Sequence, residues 1–263
     1  MPDVYMTSLL SSSPKRILIT RLRFIGDVVL TLPVIQALRT QFPDAEIYYL
    51  AEQPMGEVLL GHPDLTGVIL FDRDSIDAQA WYKRPIDHLR FILNLRKHQF
   101  DLVIDLFCNP RSALLTLLTG AGIRVGYDVR GRGVVYNIKI HRSSSPRVVD
   151  AYLDAVRTLG IDVIADRPRL ILSADEKEWA DTWLGEKAVT HGKKIIGLNP
   201  GASWPAKMWS WEKYAALADR LIDDHNADIL VIQGPGQGTL AQQVADTMKH
   251  SPIIVDYLPI RQV

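Results

Sequence analysis

Short apolar runs alternate with stretches of helical periodicity along this chain, and that alternation most constrains its fold. Arg16-Ile-Leu-Ile-Thr20, Glu46-Ile-Tyr-Tyr-Leu50, Gly67-Val-Ile-Leu-Phe71, Asp101-Leu-Val-Ile-Asp105 and Arg124-Val-Gly126 read as strands. Helical spacing covers 27–41, 54–60, 86–98, 109–118 and 148–159. Such β/α alternation predicts an α/β fold with a mainly parallel sheet. A second series starts near Lys193, with strands at 194–199, 228–233 and 252–255 and helices over 210–225 and 237–249.

The 263 residues exceed what one core usually holds and predict two domains. The expected division is a Ser-rich disordered tail at 1–14, an N-terminal domain at 15–160, a connecting segment at 161–192 with a helix at 174–187, and a C-terminal domain at 193–263. A Rossmann-like half usually carries about five or six strands. Three are read in the second series, so that domain is expected to be incomplete. Its open sheet edge would favour oligomers or proteolytic lability.

Composition excludes some classes. Lys plus Arg and Asp plus Glu number 30 each, so net charge gives no argument for nucleic acid or a membrane surface. Cys108 is the only cysteine, which rules out an intrachain disulfide and fits a reducing compartment. No apolar run reaches the ~18 residues of a membrane span, and the N-terminus does not read as a signal peptide. A cytoplasmic location is expected. The histidines are scattered, and no metal-ligand or nucleophilic triad spacing is found; neither a metal nor a cofactor is expected.

Four segments carry candidate chemistry. Gly26-Asp27 falls at the turn between the first strand and its helix, where ligands bind in open α/β sheets. Asp27 can act as a general base or as a helix N-cap. Gly26 permits close backbone approach or a positive φ. Arg21 and Arg23 beside it are either anion-holding or solvated. Asn199-Pro-Gly-Ala-Ser-Trp-Pro-Ala-Lys-Met-Trp209 also joins a strand to a helix. Gly201, Ala202 and Ser203 there could cradle a phosphate with their N–H groups, with Lys207 and the helix N-terminus adding positive charge. The alternative is a plain connector with a surface lysine, and Trp209 and Trp211 are expected to serve packing.

Gln233-Gly-Pro-Gly-Gln-Gly-Thr239 with Asp256 imitates the dinucleotide fingerprint, but Thr239 stands at the third glycine position. Finally, Arg124, Arg130, Arg132, Lys139, Arg142 and Arg147 face a single acid, Asp128, between 124 and 147. Such a run is a solvated face or an attractor for a polyanionic substrate.

Together the Gly26-Asp27-Val-Val-Leu-Thr-Leu-Pro33 and Pro200-Gly-Ala-Ser-Trp-Pro-Ala-Lys207-Met-Trp209 blocks resemble glycosyltransferase family 9, the ADP-heptose:lipopolysaccharide heptosyltransferases. The resemblance runs from about residue 15 to the end. It implies a GT-B architecture of two Rossmann-like domains facing a cleft, an inverting mechanism without a metal, Asp27 as the base, and Ser203 and Lys207 at the donor's phosphates. It implies an ADP-heptose-like donor and an anionic glycolipid acceptor, for which Arg130 and Arg132 are candidates, with peripheral contact at the inner membrane. Two departures stand out. The turn Gly236-Gln237-Gly238-Thr239 lacks the acids many members carry, and a later Asp-Thr/Ser-Gly-Pro-x-His motif is absent. The competing readings are a shortened, non-catalytic binding protein and a nicotinamide-dependent oxidoreductase built on Gly234, Gly236 and Asp256.

Overall fold

The computed structural model describes residues 12–78, 84–163, 166–187, 189, 192–202 and 204–263. The chain divides into two compact units, Met1–Ile171 and Leu172–Val263. Most of the tail expected at 1–14, and the site candidate Ser203, lie outside the described residues.

The first unit contains strands β1 Arg16–Thr20, β2 Glu46–Glu52, β3 Gly67–Phe71, β4 Leu102–Asp105, β5 Ile123–Gly126 and β6 Ile138–Lys139. Its helices are α1 Ile25–Leu30, α2 Leu32–Gln41, α3 Arg73–Ala78, α4 Arg84–Lys97, α5 Pro110–Thr119 and α6 Val148–Thr158. The sheet order is β3-β2-β1-β4-β5-β6, and every neighbouring pair is parallel. Strand β1 is central. Ile17, Leu18 and Ile19 are fully buried, as are Leu102, Val103 and Ile104 on β4. Consecutive apolar residues suit a strand with both faces covered.

The strand order reverses between β1 and β4, and Thr20 pairs with Asp105 at their carboxyl ends. This is the switch point at which open α/β sheets form a ligand crevice.

The helix expected over 27–41 is two helices. Pro33 has no N–H to donate to a preceding turn. The Thr31 hydroxyl instead donates to the Val28 carbonyl at 2.6 Å and is hydrogen-bonded to the Tyr49 hydroxyl at 2.7 Å. The helix expected at 54–60 is a 3-10 turn, Met55–Leu59. Helix α5 follows its residue signals closely: Asn109 and Ser112 form a capping box, Pro110 opens the first turn, and Gly120 closes the helix at φ 79°.

The second unit holds α7 Ala174–Glu186, β7 Ile195–Leu198, α8 Trp211–His225, β8 Asp228–Ile232, α9 Gly238–Thr247 and β9 Ile253–Val255. Its described strands form a parallel sheet in the order β7-β8-β9. The core of this unit is built on Ala215, Ala218, Ile229, Val231, Ala241 and Val244. Helix α7, expected in a connecting segment, belongs here. Its capping-box residue Glu176 pairs with Arg261 at 2.5 Å, beside the last turn of the chain. The division therefore falls at 171/172.

Candidate active site

The loop after β1 is pinned before it turns. The Arg21 N–H donates to Leu50 O at 3.1 Å and the Glu52 N–H to Leu22 O at 2.8 Å, so β1 and β2 stay in register past Thr20. The chain then reverses through Phe24, at φ 70°, which is the N-cap of α1. A positive φ is rare for an aromatic residue and costs on the order of 1–3 kcal/mol. The matching loop after β4 contains Cys108 at φ 51°. Both loops at the switch point thus hold a non-glycine residue in the left-handed region.

Phe24, not Gly26, takes the positive φ. Gly26 is exposed on α1, and a Cβ there would meet nothing within 4 Å. The absence of a side chain leaves open space beside Asp27. Asp27 is not the N-cap either; it sits in the first turn, and α1 receives no side-chain cap. Its carboxylate is committed elsewhere. Oδ2 accepts from the Arg21 guanidinium, and Oδ1 accepts from the Tyr152 hydroxyl at 3.0 Å.

Arg21 is 8% exposed at its side chain, whereas Asp27 is 27% exposed and reaches solvent. The guanidinium lies 4.3 Å from the Phe107 ring centroid, with the rings of Tyr152 and Phe24 at 5.8 and 6.0 Å. Its Nε is buried without a hydrogen-bond partner among the described residues. Burial pushes the Tyr152 phenol up to about 12, so it remains a donor through the neutral range.

Beneath the Phe107–Cys108 loop lies a buried polar network. Asp105 Oδ1 accepts from the N–H groups of Phe107 and Cys108 at 2.9 Å each, and Oδ2 accepts from the Tyr136 hydroxyl at 2.7 Å. Burial raises the Asp105 carboxyl against these donors, and it pushes the Cys108 thiol up to about 12. Cys108 is buried and its thiol donates to the Asp105 carbonyl at 3.0 Å, so it packs inside the loop it shapes.

The basic run 124–147 is largely consumed by the fold. Arg124 donates to Val135 O and Ala121 O at 2.7 Å each. Arg132 Nε donates to Cys108 O at 2.9 Å. Lys139 pairs with Asp128 at 2.7 Å, and Arg147 with Asp150 and Asp166 at 2.8 and 2.7 Å. Arg130 is exposed at φ 51°. Arg132 is thus partly a loop brace, and only Arg130 of the two acceptor candidates lies fully on the surface.

Sequence reasoning singles out Arg23 but misses the arginine cluster it joins. Glu52, 5% exposed at the end of β2, faces Arg23, Arg73 and Arg111 at 3.5, 3.6 and 3.4 Å. Arg73 also pairs with Asp74 at 2.9 Å. Arg23 and Arg111 are left sharing the single Glu52 carboxylate, which gives a positive excess beside the switch point. The signal is present in the sequence: each arginine follows the carboxyl end of a strand, after β1, β3 and β4.

In the second unit, Gly201 and Ala202 follow β7, and Lys207 lies in the 3-10 turn Pro205–Lys207 before α8. The Gly201 N–H already donates to Asn199 Oδ1 at 3.0 Å, so it is not free for a phosphate. Lys207 is exposed, and its side chain makes no hydrogen bond or ion pair among the described residues. Helix α8 begins at Ser210 without a side-chain cap, which leaves its first N–H groups open, although Glu212 places a negative charge in that turn. Trp209 and Trp211 are 46% and 39% exposed rather than core; Trp209 meets the Tyr214 ring edge-on at 5.4 Å.

The dinucleotide-like turn is filled from within. Gln237 Oε1 accepts the Gly234 N–H at 3.0 Å, and a Cβ on Gly201 would lie 1.9 Å from the same oxygen. Gly201 thus lets the Gln237 amide pack across both loops, which removes the bare cradle a pyrophosphate would need. Among the described residues, no group of three His, Cys, Asp or Glu side chains could hold a metal, and no helix is long and apolar enough to cross a membrane.

Known proteins share this fold. The lipopolysaccharide core heptosyltransferase OpsX of Haemophilus influenzae is 24% identical over 236 residues, 88% of this chain. The chain spans 64% of that relative's length. The glycosyltransferase family 9 structure from Veillonella parvula superposes with a TM-score of 0.79 at 24% identity, covering 91% of this chain and 68% of its own. Escherichia coli heptosyltransferase WaaC, solved with ADP-2-deoxy-2-fluoro heptose, gives 0.72 at 21% identity, covering 94% and 78%. These structures share the GT-B-like α/β fold, with parallel sheets in each unit. The family model for glycosyltransferase family 9 (heptosyltransferase) matches residues 88–259, from α4 past β9, and by that match the chain belongs to this family.

Proposed function

We propose that this protein moves a heptose, or a related sugar, from a nucleotide-diphosphate donor to a lipopolysaccharide core acceptor with inversion. An acceptor hydroxyl attacks the anomeric carbon from the face opposite the diphosphate. The new C–O bond forms as the bond to the diphosphate breaks, and the diphosphate leaves with the electron pair. Asp27 takes the hydroxyl proton. Its placement carries the reading: it stands at the switch point, is free of any capping duty, and has both oxygens oriented by Arg21 and Tyr152.

The donor class is suggested by the ADP-sugar with which the related WaaC structure was solved. Lys207 and the open N-terminus of α8 supply positive charge for the departing diphosphate. Arg23 and Arg111 supply it for an anionic acceptor, a role for which Arg130 remains a further candidate. Such an acceptor is a glycolipid, so the enzyme would work on the cytoplasmic side, against the inner membrane.

The test is Asp27→Asn, assayed with ADP-heptose and a core acceptor. Turnover should fall about 100-fold or more. ADP binding should be unchanged. The substitution removes the charge opposite buried Arg21, so the assay belongs well below the melting transition. Wild-type turnover in the folded variant would refute the base assignment. Failure of the wild-type chain to turn over while still binding acceptor would favour the non-catalytic reading.

A further inference from the structure

Helices α4 and α5 bury one apolar face each and expose another. On α4, Leu95 is buried, and Phe91 and Ile92 pack against the core that contains Leu18, Leu50 and Phe71. The demand of the core is met by these residues. Yet Ile86, Leu89 and Leu93, spaced at i, i+3 and i+7, are 52%, 55% and 51% exposed. On α5, Leu114 and Leu117 are 53% and 48% exposed. Between the helices runs an apolar groove of about 430 Å³ lined by Phe71, Phe91, Ile92, Leu114 and Leu115, with Arg111 at its edge. A large exposed apolar patch with a polar rim marks an interaction surface.

The rim states the partner's charge. The two helices carry Arg84, Arg90, Arg96, Lys97 and Arg111 against a single acid, Asp87. Arg90 pairs with that acid at 3.1 Å and is still 76% exposed. A helix with an exposed apolar stripe and a basic flank lies in the interface of an anionic bilayer. A second copy of the same positive face would be repelled. The groove gives an acyl chain somewhere to enter, and Arg111 joins this face to the Glu52 arginine cluster.

We propose that the α4–α5 face docks on an anionic lipid bilayer, with Ile86, Leu89, Leu93, Leu114 and Leu117 in the acyl boundary and the basic side chains at the headgroups. This rests on the acceptor reading above and deepens it by naming the surface on which a lipid-borne acceptor would be met.

Sedimentation with vesicles tests it without donor or acceptor, so its outcome is separate from the transfer activity. Vesicles of phosphatidylglycerol and phosphatidylcholine in equal parts should carry the full chain down, pure phosphatidylcholine much less, and added salt should weaken the first. The double variant Leu89→Glu/Leu93→Glu should lower partitioning by roughly tenfold or more. Arg90→Glu/Lys97→Glu should lower it on the anionic vesicles only. Circular dichroism should show both variants folded. The proposal is overturned if the wild-type protein stays in the supernatant, or if both variants bind as it does. It is equally overturned if light scattering shows a dimer that Leu89→Glu/Leu93→Glu dissociates while no vesicle binding is seen.

Discussion

The Tyr152 hydroxyl donates to Asp27 Oδ1 at 3.0 Å, joining helix α6 to helix α1 across 125 residues of sequence. The bond fixes one carboxylate oxygen while Arg21 fixes the other. Tyr152→Phe removes a donor but keeps the ring that packs beside Arg21. Turnover should fall by roughly tenfold, close to the worth of one hydrogen bond to a charged group. The donor KM should hold. A lower melting temperature with unchanged turnover in the folded variant would leave Tyr152 a purely structural residue.

Glu52 gathers Arg23, Arg73 and Arg111, and the excess charge should be felt by the acceptor alone. Arg23→Ala and Arg111→Ala should each raise the KM for a phosphorylated acceptor by roughly 3- to 10-fold, and less at high salt. Donor KM should not change. Kinetics with both substrates varied decide the matter: equal losses on the two would indicate damaged folding, and no loss would return the arginines to a structural role.

The central strands β1 and β4 are legible because each is an apolar run, and burial on two faces demands such runs. Strand β6 has only two residues and no periodicity to read, and α3 is a short polar helix directly after β3. Asp27 is legible as a candidate because a strand-to-helix turn places it at the sheet's carboxyl edge. Its partners are not. Tyr152 lies on the buried face of an amphipathic helix and reads as core, and Glu52 at a strand end reads as a solvated acid. The basic run misleads for a related reason. Charge density along the sequence does not say which guanidinium groups are spent on carbonyls, as Arg124 and Arg132 are. The positive φ at Phe24 and Cys108 has no glycine to announce it.

Lys207 is the exposed cation of the loop before α8, and the N–H of Gly201 is already taken by Asn199. Electrostatic attraction by Lys207 should therefore matter more than a backbone cradle. Lys207→Ala should weaken ADP binding by roughly 5- to 10-fold at low salt, and the remaining affinity should depend less on salt. Lys207→Arg should recover part of the loss, because a planar fork places its charge differently from a compact ammonium. Calorimetry with ADP checks both. Identical affinities for Lys207→Ala and the wild-type protein would remove Lys207 from the donor site.

Helix α6 carries Tyr152 to Asp27, and its first turn is tied down by Asp150. That carboxylate accepts from Arg147 at 2.8 and 3.1 Å, from Arg157 at 3.0 Å and from Ser145 at 2.6 Å. The hydrogen bond from Arg147, then those from Ser145 and Arg157, hold the Asp150 carboxyl well below the usual range. A carboxyl depressed on folding stabilises the native state fully above its unfolded value of about 4, and the contribution drains away as pH falls further. Asp150→Asn should therefore lower the melting temperature at neutral pH. The gap between variant and wild type should narrow steadily below about pH 4, as protonation strips the wild type of the same advantage. Because Tyr152 sits two residues on, loosening this turn should also free the phenol from Asp27, and turnover of Asp150→Asn should fall at neutral pH with it. Thermal melts across the acid range decide the point. A melting gap that stays constant from neutral pH into strong acid would show that Asp150 acts through packing, not through its ionised pairs.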